Sequence, residues 1–409
     1  MKCVIHVGMH KTGSTSIQGA ISQLDSPDFQ YLTLDNPNHS VALRTLFGEE
    51  PLGHPRLRFR GYDKPSDVDS YRIKWLAHFE EQIKHADRTL VISGEDLSLE
   101  GNSKILKNLK AALSVRFDEF QVIAYVRRPV SYTESAFQEV IKNGGAFFRP
   151  ELHFPKYKQR FESLEDIFGP AAVTYVLFDR NVLSGQDVVS DFYHRVGISQ
   201  APKEVIDDNQ SLNLAALSVI YKNRKINSAK GALTGVANSK LVLAARHLEG
   251  PRFHFGDNIV APLLEAYRGE IEWMEQRLGV SLHESIAPEG ACESEQDLFK
   301  WAESQVEPLR NAYLKVSEDK SLEPAAFSLL ASARSLPSKD GSNDTSVFTD
   351  AFTAECRKAG LPSHVALRET ALAFNRLGFS QLASHIIDQA LSMNPQGEAL
   401  KKVKKIIAQ

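Results

Sequence analysis

Three groups of residues in this 409-residue chain are of the kind that hold anions or move protons. The first is Gly8-Met9-His10-Lys11-Thr12-Gly13-Ser14-Thr15-Ser16, a run of small side chains around one lysine. Such a loop turns its N–H groups onto an anion, and Lys11 adds a positive charge. The second is Arg127-Arg128-Pro129, with Ser135 eight residues after Arg127. A guanidinium grips a phosphate with charge-assisted, often bidentate hydrogen bonds, and a serine two turns along a helix brings a hydroxyl to the same anion. The third is Glu95-Asp96, two neighbouring carboxylates of the kind that can accept a proton. Each group also has a plainer reading. These are a Gly/Ser/Thr turn with a solvated lysine, a strand-to-helix turn with exposed arginines, and a helix capped by Ser93 or Asp96 with Glu95 in its first turn.

All three groups follow runs of strand type. Cys3 to Val7, Thr89 to Ser93 and Phe120 to Val126 are apolar and β-prone, and each runs straight into a group. In a parallel sheet the carboxyl ends of the strands line the ligand crevice, so the order strand, then polar residues, sets these groups where chemistry is done. Ile17, Ala20, Ile21 and Leu24 continue the first loop as a helix, and Pro129 suits the first helical position after the third strand. A helix over Ser70 to His85 carries Tyr71, Trp75, Leu76, Phe79 and Ile83 on one face. Further along come a strand at Ala171 to Phe178, helices at Val182 to Val196, 209–227 (Ser211 as N-cap), Ile259 to Leu278 and Gln296 to Val316. This alternation predicts an α/β fold of three layers, a central parallel sheet flanked by helices, plus a small C-terminal all-helical segment.

Lys11 precedes the second glycine, unlike the lysine of the G-x-x-x-x-G-K-[ST] nucleotide loop. Instead the loop resembles the 5′-phosphosulfate-binding loop of sulfotransferases that use 3′-phosphoadenylyl sulfate (PAPS). Residues 6–18 match its bacterial form, H-x-G-x-H-K-T-G-[TS]-[TS]-x-[IL]-Q. Arg127 and Ser135 resemble the 3′-phosphate motif of the same family. The stretches VTYVLFDRNVLSGQDVVSDFYHRVGI and NQSLNLAALSVIYKNRKIN are also similar to it, so the resemblance covers about residues 2–285. It implies a P-loop-like fold and PAPS as sulfuryl donor. Lys11, Thr12, Gly13, Ser14, Thr15 and Ser16 would hold its 5′ end, and Arg127 and Ser135 its 3′-phosphate. Glu95 would be the base, and no metal is implied. Lys222, Arg224 and Lys225 are further cations within reach of that reading. His10 stays open between contact with the reacting groups and a structural donor.

The acceptor would offer a hydroxyl or an amine. Arg56, Arg58 and Arg60 alternate, so on an extended strand they would share one face and suit an acidic glycan; a solvated basic edge is the other reading. Phe147 to Lys158 reads as an aromatic, basic loop over the site or as an ordinary surface loop. Two functions of other kinds compete: a kinase-like P-loop enzyme, and a catalytically dead scaffold that binds partners through its C-terminal helices.

Composition narrows the rest. With 42% hydrophobic and 24% charged residues the chain is globular, and a net charge of −3 gives no overall field for nucleic acid or an anionic membrane. Cys3, Cys292 and Cys356 are too scattered for a disulfide framework or a structural zinc site and point to a reducing compartment. Met1 leads directly into the first strand and no apolar run is long enough for a bilayer, so a cytoplasmic location without a membrane span is expected. The expected division is an α/β domain over 1–335, a polar linker over 336–348 and a helical segment over 349–409. In the last, Ala373-Phe374, Gly378, Ala383, Ile387, Ala390 and Pro395 fall at the spacing of one tetratricopeptide-like repeat, or of a generic helical hairpin. One repeat does not stand alone, so docking on the α/β domain or a protein partner is expected.

Overall fold

Five strands pair in parallel as one sheet: β1 Lys2–His6, β2 Phe29–Tyr31, β3 Thr89–Ser93, β4 Glu119–Val126 and β5 Val173–Leu177, in the order β2-β3-β1-β4-β5. The computed structural model describes residues 1–50, 52–54, 56–57, 60–200, 211–228, 242, 245–284, 291–305, 308–309, 363–376 and 380–408. Alternation along each strand divides the side chains between two cores. Cys3, Ile5, Leu90, Ile92, Val122, Ala124, Val126 and Leu177 face one side. Val4, Val91, Ile123, Tyr125 and Val176 face the other. Each fully buried aliphatic side chain contributes roughly 1.5–3 kcal/mol, and a slip of one residue would exchange the faces, so the register is firmly held.

The second face is covered by α1 Ser14–Ile21 and by α7 Val188–Val196. On the first lie α2 Ser40–Phe47, α3 Pro65–Lys84, α4 Ser103–Leu113, α6 Tyr157–Phe168 and α10 Arg268–Leu278. The remaining helix that matters for the site is α5, Pro129–Lys142, which follows β4. The architecture is therefore α/β, with a central parallel sheet between two helical layers, as the strand pattern predicts.

The chain gathers into two compact units. One comprises 1–139, 149–211 and 254–293, and the other 140–148, 212–253 and 294–409. In the second, α8 Leu214–Ser228 packs with α11 Glu295–Ser304. Lys225 pairs with Glu295 at 2.8 Å and Lys222 with Glu303 at 3.0 Å. Arg224 donates to the carbonyls of Ile141 and Lys142. These three cations, offered by the sequence to a phosphate, are engaged inside that unit. The helices α12 Ser363–Arg376, α13 Ser380–Met393 and α14 Glu398–Ile407 share their own small core. Ala383, Ile387 and Ala390 are buried there, while Gly378 and the 336–348 linker lie outside the described residues.

Several boundaries differ from expectation. The helix expected over Ile259 to Leu278 is two, α9 Asp257–Ala266 and α10, because Tyr267 leaves helical geometry (φ −111°, ψ 21°), its ring stacked on Phe154. Asn213, not Ser211, caps α8 by accepting from the Ala216 N–H. Asp187 caps α7 through the Ser190 N–H, which starts that helix at Val188 rather than Val182. The extended strand expected around Arg56 is instead a helical turn at Arg56-Leu57, with Arg60 paired to Asp35 at 2.6 Å; Arg58 lies outside the described residues. No helix among the described residues is long and apolar enough to cross a membrane.

Candidate active site

The loop after β1 stays beside β4 for three more residues: the N–H groups of Val7 and Met9 donate to the carbonyls of Ile123 and Tyr125, each at 2.9 Å. It then folds back on itself, with the buried Thr12 hydroxyl donating to the Met9 carbonyl at 2.7 Å. Two residues take left-handed backbone, Lys11 (φ 65°) and Gly13 (φ 77°). For Lys11 this costs on the order of 1–2 kcal/mol, the kind of strain that persists where a loop must present its N–H groups. Gly13 has a further reason to lack a side chain, since a Cβ there would stand 2.6 Å from Val188 Cγ1 on α7. Gly13→Ala is therefore expected to lower stability by about 1–3 kcal/mol, read as a drop in the urea midpoint, through strain and overpacking together. At the start of α1, Ser14 Oγ is buried and has no hydrogen-bond partner. A buried hydroxyl left unpaired is costly, and an anion at the helix N-terminus would satisfy it.

The sequence-predicted residues come together unevenly. Lys11 Nζ lies 2.7 Å from Glu139 Oε2 on α5. Arg127 Nη1 donates to the Lys11 carbonyl at 3.3 Å, so the two sequence motifs meet at adjacent strand ends. Arg127 Nε reaches Ser131 Oγ at 3.3 Å, whereas Ser135 sits one turn further along α5 and half-buried. Arg128 is spent on structure: Nη1 donates to the carbonyls of Ser281 and His283 at 2.8 and 2.9 Å. The N-terminus of α5 already holds a carboxylate, because Glu284 Oε2 accepts from the N–H groups of Val130 and Ser131 at 2.8 and 3.1 Å. Of the aromatic stretch over 147–158, Tyr157 begins α6 and its hydroxyl donates to the Arg127 carbonyl.

After β3 the chain makes a single 3-10 turn, Glu95–Ser98. Ser93 caps nothing and sits beneath that turn as a hub. Its hydroxyl bonds His6 Nδ1 at 2.8 Å and accepts from Gln18 Nε2 at 3.1 Å, and its N–H donates to His39 Nδ1. Glu95 is half-buried, and its Oε1 has a long 3.4 Å contact with Asn38 Nδ2. Asp96 is only 4% exposed and lies between two histidines, His10 Nε2 at 2.9 Å and His54 Nε2 at 3.2 Å. Burial works to raise the Asp96 pKa, but the hydrogen bonds it receives from His10 and His54 outweigh it and hold the carboxyl below the usual range. His10, Glu95 and Asp96 each bring one ligand-type atom to within 4.8 Å of the others.

Sequence reasoning missed His54, Glu139 and Arg160. The signal for Arg160 was present. It lies on the buried stripe of α6 with Tyr157, Phe161 and Leu164, the place where a solvated arginine does not belong. His54 and Glu139 carry no such signal, because each acts through residues far off in sequence.

No protein-family model and no curated protein matches the chain. Among solved structures, the crystal structure of a sulfotransferase from Alicyclobacillus acidocaldarius is similar. It is 17% identical, covers 55% of this chain and 94% of that chain, and has a TM-score of 0.34. A likeness at that level assigns nothing to this chain, and the functional reading rests on the chain's own residues.

Proposed function

We propose that the chain is a PAPS-dependent sulfotransferase that moves a sulfuryl group to a hydroxyl or amine of an acceptor. The observation that carries the reading is the meeting of three strand ends, with Arg127 3.3 Å from the Lys11 carbonyl and Glu95 within 4.8 Å of His10 on the Lys11 loop. Bound PAPS supplies the activated sulfuryl group. Lys11 and the N–H groups of Thr12 to Ser16 hold its 5′ end, with the unpartnered Ser14 hydroxyl beside them. Arg127, with Ser135 on the helix that follows it, serves the 3′-phosphate, and Glu95 accepts the acceptor's proton. The chemistry asks mainly for positioning and for cationic stabilisation of moving charge, which lysine and arginine provide. Arg56, exposed and two residues from His54, favours an acidic acceptor such as a glycan. A cytoplasmic location and a protein partner for α12 to α14 belong to the same reading.

Calorimetry with adenosine 3′,5′-bisphosphate tests it directly. Micromolar binding is expected, at least tenfold weaker in Lys11→Ala, together with transfer of radiolabel from PAPS to a panel of hydroxyl and amine acceptors. Absence of bisphosphate binding, or preferred binding of ATP with magnesium, overturns the proposal.

A further inference from the structure

We infer that His10 is a positioning residue, held as the Nε2–H tautomer between Arg160 and Asp96, and that it ties the Lys11 loop to the Glu95–Ser98 turn without taking a proton itself. This deepens the sulfotransferase reading and rests on it for its consequence, though its geometry stands alone. A guanidinium has only donors to give. Arg160 Nη2 lies 3.2 Å from His10 Nδ1, so that nitrogen accepts and carries no hydrogen. The ring proton is then on Nε2, which donates to Asp96 Oδ1 at 2.9 Å. His54 is fixed in the same sense. Its Nδ1 accepts the Arg56 N–H at 3.1 Å, so its Nε2–H donates to Asp96 Oδ2 at 3.2 Å. Each Asp96 oxygen thus receives one imidazole N–H.

Arg160 is itself 8% exposed, and each of its three nitrogens makes a hydrogen bond. Its Nε donates to Ser98 Oγ and its Nη1 to the Tyr132 hydroxyl, both at 3.1 Å. One buried guanidinium therefore reaches three segments at once: the loop after β1 through His10, the turn after β3 through Ser98, and α5 after β4 through Tyr132. The first two carry Lys11 and Glu95, and Arg127 lies two residues before the third. Pinning them from a single rigid fork fixes their mutual distances, which transfer chemistry depends on. The same accounting argues against reading His10, Glu95 and Asp96 as a metal site. The imidazole's one lone pair is taken by Arg160, which leaves His10 none to give a cation.

Long-range nitrogen–proton correlation on labelled full-length protein reads the tautomer, with His10 assigned by the signals lost in His10→Gln. At pH 8, where an ordinary imidazole is already neutral, a pure Nε2–H pattern is expected; an Nδ1–H pattern or an averaged mixture overturns the inference. Kinetics give the second readout. His10→Gln keeps a donor for Asp96 and is expected to hold turnover to within about tenfold of wild type, while His10→Ala keeps none and falls about a hundredfold. Equal, complete losses in both variants would make His10 the proton carrier and sink the proposal. Bisphosphate binding by the wild type separates the two levels. If it is absent, the sulfotransferase reading fails while the tautomer result still decides the role of His10.

Discussion

Replacing Glu95 by glutamine is expected to cut turnover by about a thousandfold while leaving affinity for adenosine 3′,5′-bisphosphate within about twofold of wild type, the range general-base removal usually spans. The choice between the two neighbouring carboxylates follows from what each is already doing. Asp96 is buried, with an N–H on each oxygen, and is held well below the usual carboxylate range, so it is a poor proton acceptor at neutral pH. Glu95 is half-buried, and its Asn38 contact at 3.4 Å is too long to tie it down. Glutamine preserves volume and the Asn38 contact, so binding and fold should survive while proton transfer does not. Normal turnover in this variant moves the base elsewhere; loss of bisphosphate binding alongside turnover makes Glu95 part of the donor site instead. A stopped assay at saturating PAPS beside calorimetry on the same preparation distinguishes these outcomes.

The layers of the fold were legible because strand and helix periods are local properties. Thr89 to Ser93 is the strand expected residue for residue, and the inward alternation of β1, β3 and β4 follows directly from their apolar runs. What failed locally was capping. Asn213 and Asp187 compete with nearby Ser211 and Val182 for helix starts, and only the backbone decides which side chain finds a free N–H. The three-residue β2 was missed because a short edge strand has too little pattern to recognise. At the site, residue types showed which groups could hold an anion but not their partners. The ion pair of Lys11 with Glu139 and the span of Arg160 across three segments join residues more than a hundred positions apart, or joined only by strand order. Glu284 on the α5 N-terminus is the clearest case: the motif offers Arg127 and Ser135 to a phosphate, while the helix start between them takes a carboxylate that the chain supplies from 154 residues away.

The buried histidines beneath the site make a second large effect predictable. His6 and His39 are each fully buried, and burial lowers both pKa values to about 3 from 6.5. In both, the folded state resists a proton that the unfolded chain accepts near 6.5. Their contribution is therefore complete above about pH 6.5 and is lost as pH falls toward about 3. Between pH 7.5 and 5 each histidine should cost roughly 2 kcal/mol, about 4 together, a large part of the 5–15 kcal/mol that holds an ordinary domain folded. His153, also lowered by burial, acts in the same direction, and Glu134, raised by burial, acts against it. Asp96 adds nothing in this window, since its lowered pKa matters only below about 3.8. Urea midpoints at the two pH values measure the sum. His39→Asn isolates one half, because the Asn oxygen can still accept the Ser93 N–H that Nδ1 accepts at 3.2 Å while the titrating ring is gone. That variant should lose about half of the acid sensitivity. Midpoints that coincide at pH 7.5 and pH 5 in the wild type would mean that both rings find a partner for their charge, and the hydrogen bonds around Ser93 would have to be redrawn.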